Sequence, residues 1–274
     1  MTKTFVITGG TDGIGAALAR ALFARGDHAV VLGRDREKGE ALLKEAADSP
    51  GSADFVAADL GLVSETRRTV QELAEAHPRI DGLVFCARFF RSERHVTSEG
   101  FEHNFALFYL SRLLFGSGLR EALERGRQPV IVNVAGPGHD TPIDWDDLQT
   151  ARDYDGVRAM FVTGRFNDLL GVRFAQLHGE GPVKYVLFHP GTTSTSFAGA
   201  FDPRTAEFIE SQKARAKPAV DVVPPLLRVL DGPPPGPLSA FNMYQRLHVQ
   251  NELFSPASAE RLATMTEELL RPHR

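Results

Sequence analysis

A glycine-rich turn, Thr8-Gly9-Gly10-Thr11-Asp12-Gly13-Ile14-Gly15, carries the most specific chemistry in the chain. Phe5-Val6-Ile7 before it is a short apolar run, and Ile14, Leu18 and Leu22 after it fall at helical spacing, so the glycines lie between a strand and a helix. Glycine permits the tight turn and close backbone approach that a pyrophosphate needs, while the free amides and positive end of the helix attract the anion. An ordinary strand-to-helix turn is the alternative, and the flanking pattern disfavours it. Proton chemistry is less well marked. Tyr154 and His139 are candidate proton donors, and Tyr109, Asp140 and Cys86 also fall near the expected crevice in sequence. None has a spacing that forces it into a site. Cys86 reads better as a buried apolar filler than as a nucleophile.

The elements that must position these groups alternate. Strands are expected at 28–32, 53–57, 83–86, 130–134 and 184–188, with a further one at 238–241 after a proline-rich loop at 232–237. Helices are expected at 36–47, 63–77, from about 98 to 115, and at 161–178, with a last one starting at Ser255-Pro256, where serine can cap and proline tolerates the first helical position. This order predicts an α/β fold: a doubly wound, mostly parallel Rossmann-type sheet with helices on both faces and ligands at its carboxyl edge. Residues 196–218 read as a segment that covers a substrate.

At 274 residues and 42% hydrophobic content, one large domain is expected, with a core that needs no disulfide. The only cysteine excludes an internal disulfide, and the absence of clustered Cys and His ligands argues against a metal site. The chain enters its first strand at once and has no apolar run of bilayer-spanning length, so a cytoplasmic protein is expected. A net charge of -4 without long like-charge blocks gives no footprint for nucleic acid or a membrane surface, which leaves a small-molecule substrate.

The chain resembles the short-chain dehydrogenase/reductase superfamily over essentially its full length. The Thr8–Gly15 turn, Asp59-Leu60 as an adenine-contacting pair, and Pro190-Gly191 with Thr195 as a Pro-Gly-x-x-x-Thr segment carry the likeness. Glu99-Gly100-Phe101-Glu102 followed by Phe105, and Ile143-Asp144-Trp145-Asp146-Asp147-Leu148, resemble its retinol-dehydrogenase-like and WW-domain-oxidoreductase-like branch. The resemblance implies a nicotinamide cofactor held by Thr8, Gly9, Thr11, Asp12, Gly13, Ile14, Gly15, Asp59, Leu60, Ala87, Pro190, Gly191 and Thr195. A homo-oligomer is compatible with it, and the branch also includes monomers. Arg34, at the end of the second strand, can bind a 2′-phosphate where an acid would bind a 2′-hydroxyl, which favours NADP(H); the adjacent Asp35 weakens that preference slightly.

The likeness fails where the family keeps its chemistry. Phe108 falls at the asparagine position, Gly136 at the serine, and Phe161 and Arg165 at the tyrosine and lysine. Phenylalanine has no ionisable proton, glycine no hydroxyl, and arginine is always charged, although Arg165 could still hold ribose or phosphate oxygens. Phe85-Cys86-Ala87-Arg88 also replaces the usual Asn-Asn-Ala-Gly, removing polar groups that support the sheet. Arg88, Arg91 and Arg94, interleaved with Phe89 and Phe90, could draw an anionic substrate or simply form a solvated loop. Three readings follow: an NADP(H)-dependent oxidoreductase with an atypical centre, a non-redox cyclase, isomerase or dehydratase, and a non-catalytic nucleotide-binding regulator.

Overall fold

Strand residues of this chain are apolar on both faces, which requires a cover on each side of the sheet. The computed structural model describes residues 2–273 and supplies those covers. The sheet comprises β1 (Thr4–Thr8), β2 (His28–Gly33), β3 (Ser52–Ala57), β4 (Gly82–Phe85), β5 (Val130–Val134), β6 (Lys184–His189), β7 (Leu238–Asn242) and β8 (Gln245–Arg246). Its order is β8-β7-β6-β5-β4-β1-β2-β3, parallel except for the short β8. Side chains alternate along β1: Phe5 and Ile7 enter one apolar layer and Val6 the other. The first layer is closed by α1 (Gly13–Ala24), α2 (Arg36–Ala47) and α7 (Val223–Asp231), through Leu18, Leu22, Leu42 and Leu226. The second is closed by α3 (Val63–Ala76), α4 (residues 103–118), α5 (Gly156–His178) and α8 (Pro256–Leu270), through Leu73, Phe105, Phe166 and Leu262.

Strand order reverses between β1 and β4, so the loops leaving their carboxyl ends diverge and open a crevice there. Two helices differ from expectation at their starts. α4 begins at His103 rather than near 98, because Thr97 and Phe101 are tied in a turn and the Glu102 carboxylate caps the helix, accepting from Phe105 N at 2.8 Å. α5 begins five residues before Phe161, where Asp155 caps it by accepting from Arg158 N at 2.7 Å. Within α4, Ala106–Leu110 form a π-helical turn centred on Phe108, an irregularity often found at functional sites.

Residues 196–218 contain a helix not anticipated from sequence, α6 (Pro203–Lys213), none of whose residues is buried. Short parallel pairings anchor the segment at both ends, Phe90–Arg91 with Gly199–Ala200 and Thr193–Ser194 with Lys217–Pro218. Among the described residues no helix is long and apolar enough to cross a membrane.

Candidate active site

The crevice is a cleft of about 760 Å³ at the carboxyl edge of the sheet. Of the residues expected to hold a cofactor, Gly9, Thr11, Asp12, Gly13, Ile14, Arg34, Asp59, Leu60, Ala87, Pro190, Gly191 and Thr195 line it. Gly9 and Gly13 are required by geometry. Gly9 has φ +66, and a Cβ there would stand 2.6 Å from the Ala87 backbone; at Gly13, φ +49, it would meet Thr195 at the same distance. Thr8 and Gly15 lie behind the wall. Buried Thr8 accepts from Ala87 N at 3.4 Å, tying the β1 and β4 ends together, and a Cβ on Gly15 would collide with the Gly9 carbonyl.

At the start of α1 the Asp12 carboxylate accepts from Gly13 N at 2.6 Å and pairs with Lys38 at 2.6 Å. Burial opposes its ionisation, but bonds from Lys38, Ser196 and Gly13 outweigh that and hold its pKa below the usual carboxylate value. Lys38 also lines the cleft, beside Arg34. The Arg34 guanidinium lies 4.8 Å from the centre of the Phe89 ring, and Asp35, which also lines the cleft, caps α2 by accepting from Lys38 N at 3.1 Å. That end therefore presents Arg34, Lys38 and the Phe89 ring together with the Asp12 and Asp35 carboxylates; Lys38 had no motif to mark it in the sequence. Asp59 closes a local turn through Gly61 N at 3.0 Å.

At the other end of the cleft Phe108, Gly136, Met160, Phe161 and Gly164 form a wall facing Pro190-Gly191 and His189. A Cβ added at Gly136 would meet nothing within 4 Å, so a hydroxyl there is sterically allowed and chemically absent. The expected neighbour Arg165 is not on this wall. It is buried, with one guanidinium nitrogen 2.7 Å from Asp168 Oδ2 and the other 2.7 Å from the Leu253 carbonyl. Burial pushes Asp168 up to about 7 despite Arg165 and Gly138 N–H, and among the described residues its Oδ1 has no hydrogen-bond partner.

The candidate proton donors also fall elsewhere. Tyr154 donates to Glu102 and accepts from Asn104, both at 3.1 Å, and does not line the cleft; burial and the Glu102 charge raise its pKa. Tyr109 is buried against Thr266 at 2.9 Å, and Asp140 is almost fully exposed. His139 stacks on Phe161, ring centres 4.2 Å apart, just outside the lining. Its Nδ1 accepts from Thr141 N at 3.3 Å and lies 2.6 Å from the Thr141 hydroxyl. Cys86 lines the cleft, but burial pushes its thiol up to about 12, away from thiolate chemistry. Of the three loop arginines, only Arg88 faces this cleft, reaching the Met160 sulfur and the Phe108 ring; Arg91 and Arg94 line a separate depression of about 210 Å³.

The expected loss of sheet support does not occur. Arg112, one turn beyond Phe108, is fully buried, its guanidinium 3.9 Å from the Phe108 ring centre. It donates to Asn133 Oδ1, to the carbonyls of Val134 at 3.2 Å and Ala87 at 3.4 Å, and to Asn167 Oδ1 at 3.4 Å. Burial lowers its pKa to about 9, which still leaves it charged near neutrality. Asn133 continues the network to Tyr185 at 2.9 Å, and Asn167 donates to the Phe108 carbonyl at 2.8 Å, within the π-turn. One arginine thus joins the ends of β4 and β5, and its position within a helical run gave no sign of this in the sequence.

The glycine turn, the reversed strand order and the cleft are those of a family that the comparisons identify: a short chain dehydrogenase pattern matches residues 3–143. The chain belongs to the short-chain dehydrogenase/reductase family. It falls in the retinol-dehydrogenase-like branch. It is 31% identical over 195 residues to a provisional daunorubicin C-13 ketoreductase, DnrU, of Streptomyces sp. strain C5, covering 70% of this chain and 67% of the relative. Human retinol dehydrogenase 13 is 28% identical over 198 residues, covering 70% and 60%. Among solved structures, a short chain dehydrogenase of Burkholderia cenocepacia in complex with NADP superposes with a TM-score of 0.68 at 21% identity, covering 88% of this chain and 96% of that one. One from Salmonella enterica serovar Typhi gives 0.70 at 18%, covering 89% and 97%. The family is one of oxidoreductases that bind nicotinamide cofactors.

Proposed function

We propose that this chain is an NADP(H)-dependent oxidoreductase that acts on a small organic substrate without the tyrosine–lysine proton relay of its family. The observation that carries this reading is the joining, in one cleft, of an intact nucleotide end (Gly9, Gly13, Arg34, Asp59) to a wall of Phe108, Gly136 and Phe161. Arg34 and Lys38 would hold a 2′-phosphate, the α1 amides the pyrophosphate, and Pro190-Gly191 the nicotinamide face. When bound, the nicotinamide supplies or accepts a hydride. The Phe108–Phe161 wall excludes water and orients an apolar substrate, with the Arg88 guanidinium over the Phe108 ring beside it.

Such a wall suits acceptors that need little enzymatic protonation, such as quinones, iminium ions or activated alkenes, and disfavours simple ketones. Residues 196–218 cover the substrate within a single Rossmann-type domain, Phe197, Phe208 and Ile209 of that segment facing the cleft. The lone cysteine fits a reducing, cytoplasmic setting. The apolar wall also favours the non-redox reading, in which the same cleft orients a reactive intermediate without cofactor turnover. Stopped-flow measurement of NADPH oxidation against a quinone, an iminium ion, an activated alkene and a simple ketone separates them. Oxidation with the first three and not the ketone is expected. Equal turnover of the ketone, or product formed with no NADPH consumed, overturns the proposal.

A further inference from the structure

On the opposite edge of the sheet from the cleft, three potential ligands meet that are widely separated in the chain. His28 begins β2, Asp54 lies in β3, and His77 caps the end of α3. Their ligand atoms all lie within 4.8 Å of one another. His28 Nε2 is 3.2 Å and His77 Nε2 3.8 Å from the same Asp54 oxygen, Oδ2. Four-coordinate zinc, with bonds of about 2.1 Å, separates its ligand atoms by about 3.4 Å, so closing the widest separation by up to about 1.4 Å through side-chain rotation would complete the set around an ion.

The imidazoles are oriented rather than loose. Ser52 lies directly opposite His28 in the β2–β3 register, and its hydroxyl sits 2.7 Å from His28 Nδ1. A metal bound at Nε2 would leave Nδ1–H to donate to the Ser52 hydroxyl, the outer-shell arrangement that fixes a metal-binding histidine. His77 N donates to Leu73 O at 2.8 Å, which fixes the backbone at the end of α3, where the helix dipole favours a cation. Both imidazoles are mostly covered, with side chains 18% and 17% exposed, while Asp54 is 56% exposed and leaves a coordination position open to water.

We propose that His28, Asp54 and His77 form a site for a divalent transition-metal ion, with zinc the best chemical match, that ties the end of α3 to the β2–β3 edge. Two imidazoles and one carboxylate suit zinc, cobalt or nickel and disfavour calcium or magnesium, which prefer all-oxygen shells. The site is remote from the cleft and stabilises the sheet edge rather than taking part in turnover. Ion binding to the folded chain alone would raise its melting temperature by mass action.

The test is titration of the chelator-treated full chain with Zn²⁺ by calorimetry and with Co²⁺ by visible absorption, for the wild type, Asp54→Asn, His77→Ala and Ser52→Ala. The expected result is one ion per chain, a four-coordinate cobalt spectrum and a higher melting temperature with zinc. Affinity should fall about tenfold in Ser52→Ala and further in the two ligand variants. Circular dichroism checks folding, and if His77→Ala does not fold, the isosteric Asp54→Asn decides. Absence of a bound ion in the wild type, or wild-type affinity in Asp54→Asn, overturns the proposal.

Discussion

The two ends of the cleft are held to their residues by different forces. At the nucleotide end the constraint is on the backbone: Gly9 and Gly13 have positive φ, and any side chain there would strike Ala87 or Thr195. At the reaction end no such constraint exists, since a Cβ on Gly136 or Gly164 meets nothing within 4 Å and Phe161 is only half-buried. Polar groups on that wall therefore answer to chemistry alone and can be lost without cost to the fold. What the fold does need there lies one layer deeper, where Arg112, Asn133, Asn167 and Tyr185 join β4, β5, β6, α4 and α5.

Substitutions that trade one end's character for the other's sharpen this contrast. The largest effect is expected from Gly9→Val, which combines an unfavourable φ with overlap of the Ala87 backbone; NADPH affinity, read by fluorescence titration, should fall on the order of a hundredfold or more. Phe161→Tyr combined with Gly136→Ser should lower neither stability nor NADPH binding and should raise ketone reduction by about 10²- to 10⁴-fold, the usual worth of general acid catalysis. Adding Arg165→Lys should bring no further gain, because position 165 turns to Asp168 and Leu253 rather than to the cleft. Arg34→Ala should weaken NADPH by about tenfold to a hundredfold and leave NADH nearly unchanged, since only the 2′-phosphate loses a charge-assisted partner. Tyr154→Phe should have the smallest effect, about 1 kcal/mol in urea unfolding for its bond to Glu102, with NADPH binding unaltered.

The same difference explains what the sequence disclosed. Backbone-driven features leave local signatures: the Thr8–Gly15 turn, the alternation of strands and helices, and Pro190-Gly191 were legible because glycine, proline and apolar periodicity are themselves the physical cause. The starts of α4 and α5 were misread because the caps, Glu102 and Asp155, lie among other acidic and polar residues with no apolar period to frame them. Side-chain destinations were the least legible. The family resemblance put Arg165 on the cleft wall and sequence position put Tyr154 near it, yet Asp168 lies one turn beyond Arg165 and draws it inward, while Glu102 holds Tyr154 outside. Arg112 and the His28–Asp54–His77 cluster were invisible for a related reason, since their partners come from elements far apart in the chain.

The central claim, that the nucleotide end is functional although the proton relay is not, is tested most directly by equilibrium titration of the purified chain, freed of any co-purifying nucleotide, with NADPH and NADH. Micromolar or tighter binding of NADPH, with NADH weaker by about tenfold or more, is the predicted result. Binding of neither, or tighter binding of NADH, would contradict the account.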